Sequence, residues 1–215
     1  ALARGNDTRV PLEMTKWFDT NYHYLVPEVE AGQAITPAPE RVLRLVEEAR
    51  EAGHTVRPYL VGPVTLLALS KPAEWSLLPE LVKAYAQVFA ALKDAGVEWV
   101  QVAEPAVVAD LSTPDKEIAE HLREAWTELL AADARPSVYL TTPYGAAREA
   151  LPVLSSLGAE AVHVDLAPWT LDEDPGYPQR VREALVDGAG AEGTVLVAGL
   201  IDGRNVWAAN LRQKL

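Results

Sequence analysis

Residues 97–108, VEWVQVAEPAVV, decide the fold class. The run is rich in Val and lacks clean polar alternation, which is typical of a strand buried on both faces of a parallel sheet. A helical pattern precedes it at 77–95. A second follows at 114–132, where Thr113 is a predicted N-cap and Pro114 takes the first helical position. This part of the chain therefore predicts a strand between two helices.

The same alternation recurs along the whole chain. Further strand-like apolar runs lie at 14–25, 56–69, 137–142, 161–167 and 194–201, and further helical patterns at 40–52, 146–157 and 179–186. Strands that alternate with helices predict an α/β fold with a parallel sheet, either a (β/α)8 barrel or an open doubly wound sheet. A closed barrel needs eight strands. We therefore expect an incomplete TIM-barrel-type domain of about six βα units over residues 1–215.

Composition excludes several classes of protein. The chain is 49% hydrophobic and 23% charged, as expected of a globular domain. Its 31 acidic and 19 basic residues give a net charge of −12, which argues against nucleic acid or an anionic membrane as the partner. Without cysteine, disulfides and thiolate metal ligands are excluded. No apolar run approaches the ~20 residues of a membrane span, and no signal segment is recognisable, so a cytoplasmic location is expected.

Polar side chains gather at the carboxyl ends of the predicted strands. Parallel α/β folds place their binding and catalytic sites at this edge. Each of these side chains has an alternative role in capping a helix or fixing a loop. The candidate site residues are Lys16, Asp19, Asn21, Glu104, His163, Asp165 and Asp202.

A glycine motif at 188–193 matches the dinucleotide-binding pattern GxGxxG. In dinucleotide-binding folds the motif follows a strand and begins a helix, so that backbone amides meet the pyrophosphate. Here it follows a helical pattern and precedes a strand. It therefore predicts a helix C-cap and a loop rather than a nucleotide site.

His163 and Asp165 are two residues apart and share one face of their predicted strand. A metal site would need further ligands, and the remaining histidines, His23, His54 and His121, form no second pair of this spacing. We therefore expect no metal site, and a His–Asp pair that orients a loop is the favoured interpretation.

Glu104 supports an alternative function. Many TIM-barrel glycoside hydrolases carry Asn-Glu-Pro at a strand end, with the Glu as acid, although Ala103 stands here in place of the Asn. That chemistry needs a second carboxylate ~5–9.5 Å away, for which Asp165 and Asp202 are candidates, and Trp17 and Trp99 could stack on sugars. A non-catalytic module that binds small anions is a second alternative.

The stretch at 13–24, EMTKWFDTNYHY, is long and unusual, and it resembles a signature of the N-terminal domain of cobalamin-independent methionine synthases. The resemblance continues in the same order at 60–65, 98–102, 104–106, 163–166 and 199–207. It implies two (β/α)8 barrels that move a methyl group from 5-methyltetrahydropteroyl-triglutamate to homocysteine. It also implies a zinc ion held by His, Glu and two Cys in the C-terminal barrel, which is absent from this cysteine-free chain.

For this chain the resemblance implies binding rather than catalysis. Lys16 matches the lysine assigned to the polyglutamate tail of the folate, although a salt bridge to Asp19 or Glu104 is an alternative role. Ala103 departs from the aspartate usual in the family, which suits a non-catalytic barrel. We expect an N-terminal fragment with no catalytic residue, partnered by folate and the C-terminal barrel. Open strand edges at 14–24 and 194–201 should pair with a second copy or be covered by further chain.

Overall fold

The computed structural model describes residues 4–7, 10–188, 193–203 and 206–214. Its centre is a five-stranded parallel sheet, and a separate antiparallel pair lies earlier in the chain. The antiparallel pair is β1 (Met14–Lys16) and β2 (His23–Leu25). The sheet contains, in spatial as in chain order, β3 (Tyr59–Val61), β4 (Trp99–Ala103), β5 (Ser137–Thr142), β6 (Ala161–Asp165) and β7 (Val195–Gly199).

Helices connect the parallel strands, as the alternating pattern predicts. They are α1 (Glu40–Glu51), α2 (Pro63–Ala68), α3 (Leu78–Asp94), α4 (Asp115–Ala131), α5 (Leu151–Ser156), α6 (Pro168–Glu173), α7 (Tyr177–Leu185) and α8 (Leu211–Lys214), with short 3-10 turns at Trp75–Leu77 and Pro105–Val108. In the described part of the chain, no helix has both the length and the apolar character to cross a bilayer. The described strands form an open sheet with edges at β3 and β7, which confirms an α/β fold of incomplete barrel type.

The run at 14–25 is a hairpin, so the prediction of a single parallel strand there was wrong. A tight polar turn interrupts it: the Thr20 hydroxyl donates to the Trp17 carbonyl at 2.6 Å, and the Trp17 amide donates to Tyr22 O at 2.8 Å. The chain reverses there, and Met14 pairs with Leu25. Residues 14–24 are therefore not an edge of the main sheet, whose open edges are β3 and β7.

Prolines explain most other differences from the predicted elements. Pro63 and Pro168 begin two short helices that the apolar pattern did not predict, and α5 begins only at Leu151, with Pro152 in its first turn. A proline is tolerated in the first helical turn because the amide it lacks has no intrahelical partner there. Pro114 is the N-cap of α4. The prediction that Thr113 is the N-cap was therefore wrong.

The glycine motif at 188–193 lies between α7 and β7, which fits a connecting loop. Residues 189–192 of this motif lie outside the described residues. The described flanks place it after a helix and before a strand. A dinucleotide-binding turn would need the opposite order.

The two faces of the sheet differ. One face packs with the helices in a single apolar core, to which the strands contribute Val100, Val102, Val138, Leu140, Val162 and Val164, all without solvent exposure. The alternate residues, including Gln101, Tyr139 and His163, lie on the opposite, inner face. At its edges Tyr59 is 52% exposed and Val195 58% exposed. The stable core thus lies on the helix side, and the inner face is partly open.

Candidate functional site

Glu104 follows β4 and is fully buried. Its Oε1 accepts hydrogen bonds from the Val64 amide at 3.2 Å and from Trp126 Nε1 at 3.0 Å, and its Oε2 accepts one from the Thr65 amide at 2.7 Å. Because Val64 and Thr65 lie in the first turn of α2, the carboxylate acts as a cap for that helix. A Cβ on Gly62 would lie 2.1 Å from the Glu104 carboxyl carbon, so this close approach requires glycine.

Burial raises the pKa of Glu104 to about 7, although hydrogen bonds from Thr65, Trp126 and Val64 act in the opposite direction. A raised carboxyl pKa in a barrel protein is typical of a general acid. A general acid must also reach the oxygen that it protonates, and Glu104 has no exposed surface. The geometry therefore supports a structural role and speaks against a glycoside hydrolase that uses this residue.

Asp165 ends β6 and is also buried. Its Oδ1 accepts hydrogen bonds from the Ala167 amide at 2.9 Å and from the Thr170 hydroxyl at 3.2 Å. Its Oδ2 accepts one from the Tyr144 amide at 3.0 Å. Asp165 thus fixes the backbone just before α6 and the loop that follows β5.

His163 shares the inner face with Asp165, as their spacing predicts. Burial lowers the pKa of His163, and its Nδ1 has no hydrogen-bond partner within the described residues. A Cβ on Gly199 would lie 2.4 Å from His163 Nε2, so β7 runs directly against the imidazole.

The zinc ion that the resemblance implies for the C-terminal barrel needs His, Glu and Cys ligands. Within residues 4–7, 10–188, 193–203 and 206–214, no group of three His, Asp or Glu side chains is placed to hold a metal, and the chain has no cysteine. The Asp165 carboxylate already accepts three hydrogen bonds. These residues do not fit a zinc site of the implied kind.

Lys16 and Asp19 come together in a cavity of about 410 Å³ beneath the β1–β2 hairpin. This hairpin cleft lies against the segments that follow β4 and β5, and its lining includes Phe18, Asp110 and Tyr144. The Phe18 and Tyr144 rings stack, with centroids 5.3 Å apart and planes 22° apart. The cleft therefore combines a cation, carboxylates and aromatic surface.

Lys16 is exposed. In the described part of the chain its ammonium has no ion pair with Asp19 or Glu104, whereas the neighbouring Lys71 pairs with Glu13 at 2.6 Å. The alternative role of Lys16 in an internal salt bridge is therefore wrong for these partners.

The other two candidates lie apart from the hairpin cleft. Asn21 is exposed in the hairpin turn, and Asp202 follows β7 and is half-buried. Neither lines the cleft. Phe18, Tyr144 and Asp110 were not predicted as site residues. A periodic sequence pattern does not show that a hairpin will contact loops more than 80 residues later in the chain.

Comparisons with known proteins agree on a family. A sequence model described as "Cobalamin-independent synthase, N-terminal domain" matches residues 1–215. Proteins named 5-methyltetrahydropteroyltriglutamate–homocysteine methyltransferase are similar: that of Mycobacterium tuberculosis is 41% identical over 220 residues, that of Rhodococcus jostii 42% over 216, and that of Actinobacillus pleuropneumoniae 38% over 221. The alignments cover 98–100% of this chain but only 27% of each relative. The chain thus spans about a quarter of their length.

A solved structure supports the fold. A methyltransferase from Methanosarcina mazei aligns with a TM-score of 0.57 over 90% of this chain and 70% of its own, at 15% sequence identity. At that identity the likeness concerns architecture alone. The family assignment rests on the sequence matches, which extend over the whole chain. From these matches, the chain belongs to the N-terminal domain family of the cobalamin-independent synthases.

Proposed function

We propose that this chain is part of an enzyme that transfers a methyl group from 5-methyltetrahydropteroyltriglutamate to homocysteine, and that it helps to hold the glutamate tail of the folate. The names of its relatives support the reaction. The observation that carries the binding role is Lys16, an exposed ammonium on the hairpin cleft without an ion pair in the described part of the chain.

Residues 1–215 would form part of the N-terminal barrel, and the chemistry would belong to a C-terminal barrel. A zinc-activated homocysteine thiolate needs metal ligands that this chain does not supply. The inner face and the edges of the sheet at β3 and β7 would be covered by further strands of the same polypeptide. A β7 edge left uncovered would favour self-association. The proposed compartment is the cytoplasm.

Charge explains why one lysine matters here. The net charge of −12 repels a polyanionic tail over most of the surface, so attraction depends on local cations. An ammonium forms short, charge-assisted hydrogen bonds with a carboxylate. The contribution of one exposed pair is modest, ~0.2–1 kcal/mol.

The test compares tail lengths in the full-length protein. Lys16→Ala is expected to reduce the preference for the triglutamate over the monoglutamate form of the folate by roughly two- to fivefold, which corresponds to the loss of one exposed ion pair. Equilibrium titration with both ligands measures this preference. Lys116→Ala is the matched control, because Lys116 is an exposed lysine at the start of α4, outside the hairpin cleft. An unchanged preference in Lys16→Ala would remove Lys16 from the tail site.

A further inference from the structure

A cavity of about 690 Å³ lies on the inner face of the sheet, at the end where the strands begin. The hairpin cleft lies at the other end, against segments that follow the strands. The lining of this amino-end cavity runs from Arg57, just before β3, through Tyr139 in β5 to Val195 and Val197 in β7. The cavity thus reaches from one open edge of the sheet to the other. Strands that complete a barrel between β7 and β3 would have to pass over it.

Arg57 carries an unbalanced charge into this cavity. Its guanidinium lies over the Tyr139 ring, 4.8 Å from the centroid, and donates to Gln101 Oε1 at 3.3 Å. It makes no ion pair with any carboxylate of the described residues, although Glu98 also lines the cavity. The second arginine of the cavity, Arg50, already has a carboxylate partner. Arg57 is therefore the cation that still needs one.

A cover over the cavity would bury the Arg57 guanidinium, which the described residues leave exposed. A guanidinium cannot give up its proton to escape burial, so burial without a carboxylate is strongly unfavourable. The same end of the sheet shows how the chain meets this need elsewhere. Arg135, just before β5, is largely buried and pairs with Glu160 at 2.9 Å, with a second contact to the same carboxylate at 3.1 Å.

We infer that a strand of the same polypeptide, outside residues 1–215, covers the amino-end cavity and places an Asp or Glu side chain on Arg57. The occupant is chain rather than a free ligand, because the cavity lies where a closed sheet would continue. Residues 1–215 span only 27% of the relatives' length, which leaves ample chain for this purpose. The pair rests on the proposed function, which assigns the covering strands to the same polypeptide, and it adds the chemistry that one of them must carry.

Arginine labelling with phenylglyoxal tests the cover on the unaltered full-length protein, after dialysis and over a range of protein concentrations. We expect Arg57 to react roughly tenfold more slowly than Arg148, an exposed arginine outside the cavity, as read from peptide masses. Equal rates would overturn the inference, because nothing would then cover Arg57. Protection that needs added inorganic phosphate, or a high protein concentration, would also overturn it, since the occupant would be a free anion or a second copy.

Substitutions in the full-length protein test the carboxylate. Arg57→Met is expected to lower the midpoint of thermal unfolding at pH 8 by roughly 5 °C or more, because a buried carboxylate loses its partner. The loss should shrink at pH 5, where that carboxylate takes up a proton. Arg57→Lys keeps the charge and should retain most of the midpoint. Glu98→Gln and Arg148→Met are the controls and should leave the midpoint unchanged.

A loss that is the same at pH 5 and pH 8, and that is no smaller in Arg57→Lys, would refute the pair, because the guanidinium would then only pack against Tyr139. An equal loss in Glu98→Gln would assign the pair to Glu98 and refute it as well. If Lys16→Ala still reduced the preference for the triglutamate in either case, the proposed function would stand. An Arg57 pair together with an unchanged preference in Lys16→Ala would remove the tail site and leave the pair.

Discussion

Replacing Glu104 with glutamine tests how the buried carboxyl group acts. The side chain keeps its shape, but one oxygen becomes an NH₂ group among three N–H donors, from Val64, Thr65 and Trp126. A glutamine oxygen cannot satisfy all three donors in their present positions. At least one buried donor then loses its partner, which costs ~1–3 kcal/mol of unfolding free energy.

The pH dependence of stability gives the sharper result. The folded-state pKa of Glu104 is raised from 4.5 to about 7, so the native state holds a proton that the unfolded state releases. The contribution of Glu104 protonation to the free energy of unfolding is fully present below pH 4.5 and is lost as the pH rises through 7. It amounts to ~3 kcal/mol. Glutamine does not titrate, so the free energy of unfolding of the variant relative to the parent should rise by ~3 kcal/mol between pH 4.5 and pH 8.

Urea unfolding of both proteins at several pH values between 4 and 8 measures this difference. Glu98→Gln is the matched control, because Glu98 is exposed just before the same strand, β4. Its difference from the parent should stay within ~0.5 kcal/mol at every pH. A Glu104→Gln difference that does not change with pH would refute the reasoning, because Glu104 would then be ionised in the native state throughout.

Two further predictions concern the backbone. Gly62→Ala should destabilise the protein by ~1–3 kcal/mol in thermal or urea unfolding, because the new Cβ would overlap the buried Glu104 carboxyl group. Gly145→Ala, whose Cβ would meet Val108 at an ordinary 3.4 Å, should cost far less, and equal losses would contradict the overlap. The 215-residue chain by itself should self-associate through the open edge of β7, seen in light scattering as a mass that rises with concentration. A constant monomer mass, with β7 amides protected from exchange, would contradict that expectation.

The main sheet could be predicted because each of its strands carries the same signal. Val100 and Val102 in β4 and Val162 and Val164 in β6 mark a buried face, and the intervening helices have apolar stripes. The hairpin could not be predicted in the same way. Half of the residues in its run from Met14 to Leu25 are polar, and the reversal depends on one local hydrogen-bonded turn.

The sequence predicted at which edge of the sheet the candidate residues lie, but not which side chains contact one another. Asp165 and Lys16 follow from strand ends and from the family stretch. The hydrogen bond that the Tyr144 amide donates to Asp165 and the stack of Tyr144 on Phe18 depend on positive φ angles, which leave no signal at aromatic residues. Glu104 was placed correctly at a strand end, but its partner Trp126 belongs to a helix whose apolar stripe gave no sign of a buried N–H donor.

The unequal faces of the sheet have a consequence for how this scaffold tolerates change. The valines and leucines that pack under the helices form an apolar core on the opposite side of the sheet from Gln101 and Tyr139. Side chains such as Gln101 and Tyr139 therefore contribute little to the packing that stabilises the fold. A library that varies Gln101 and Tyr139, while leaving the helix side and the buried inner-face residues Thr141 and Asp165 intact, should yield many folded members. Substitutions at these positions could then alter ligand preference without an equal loss of thermal stability.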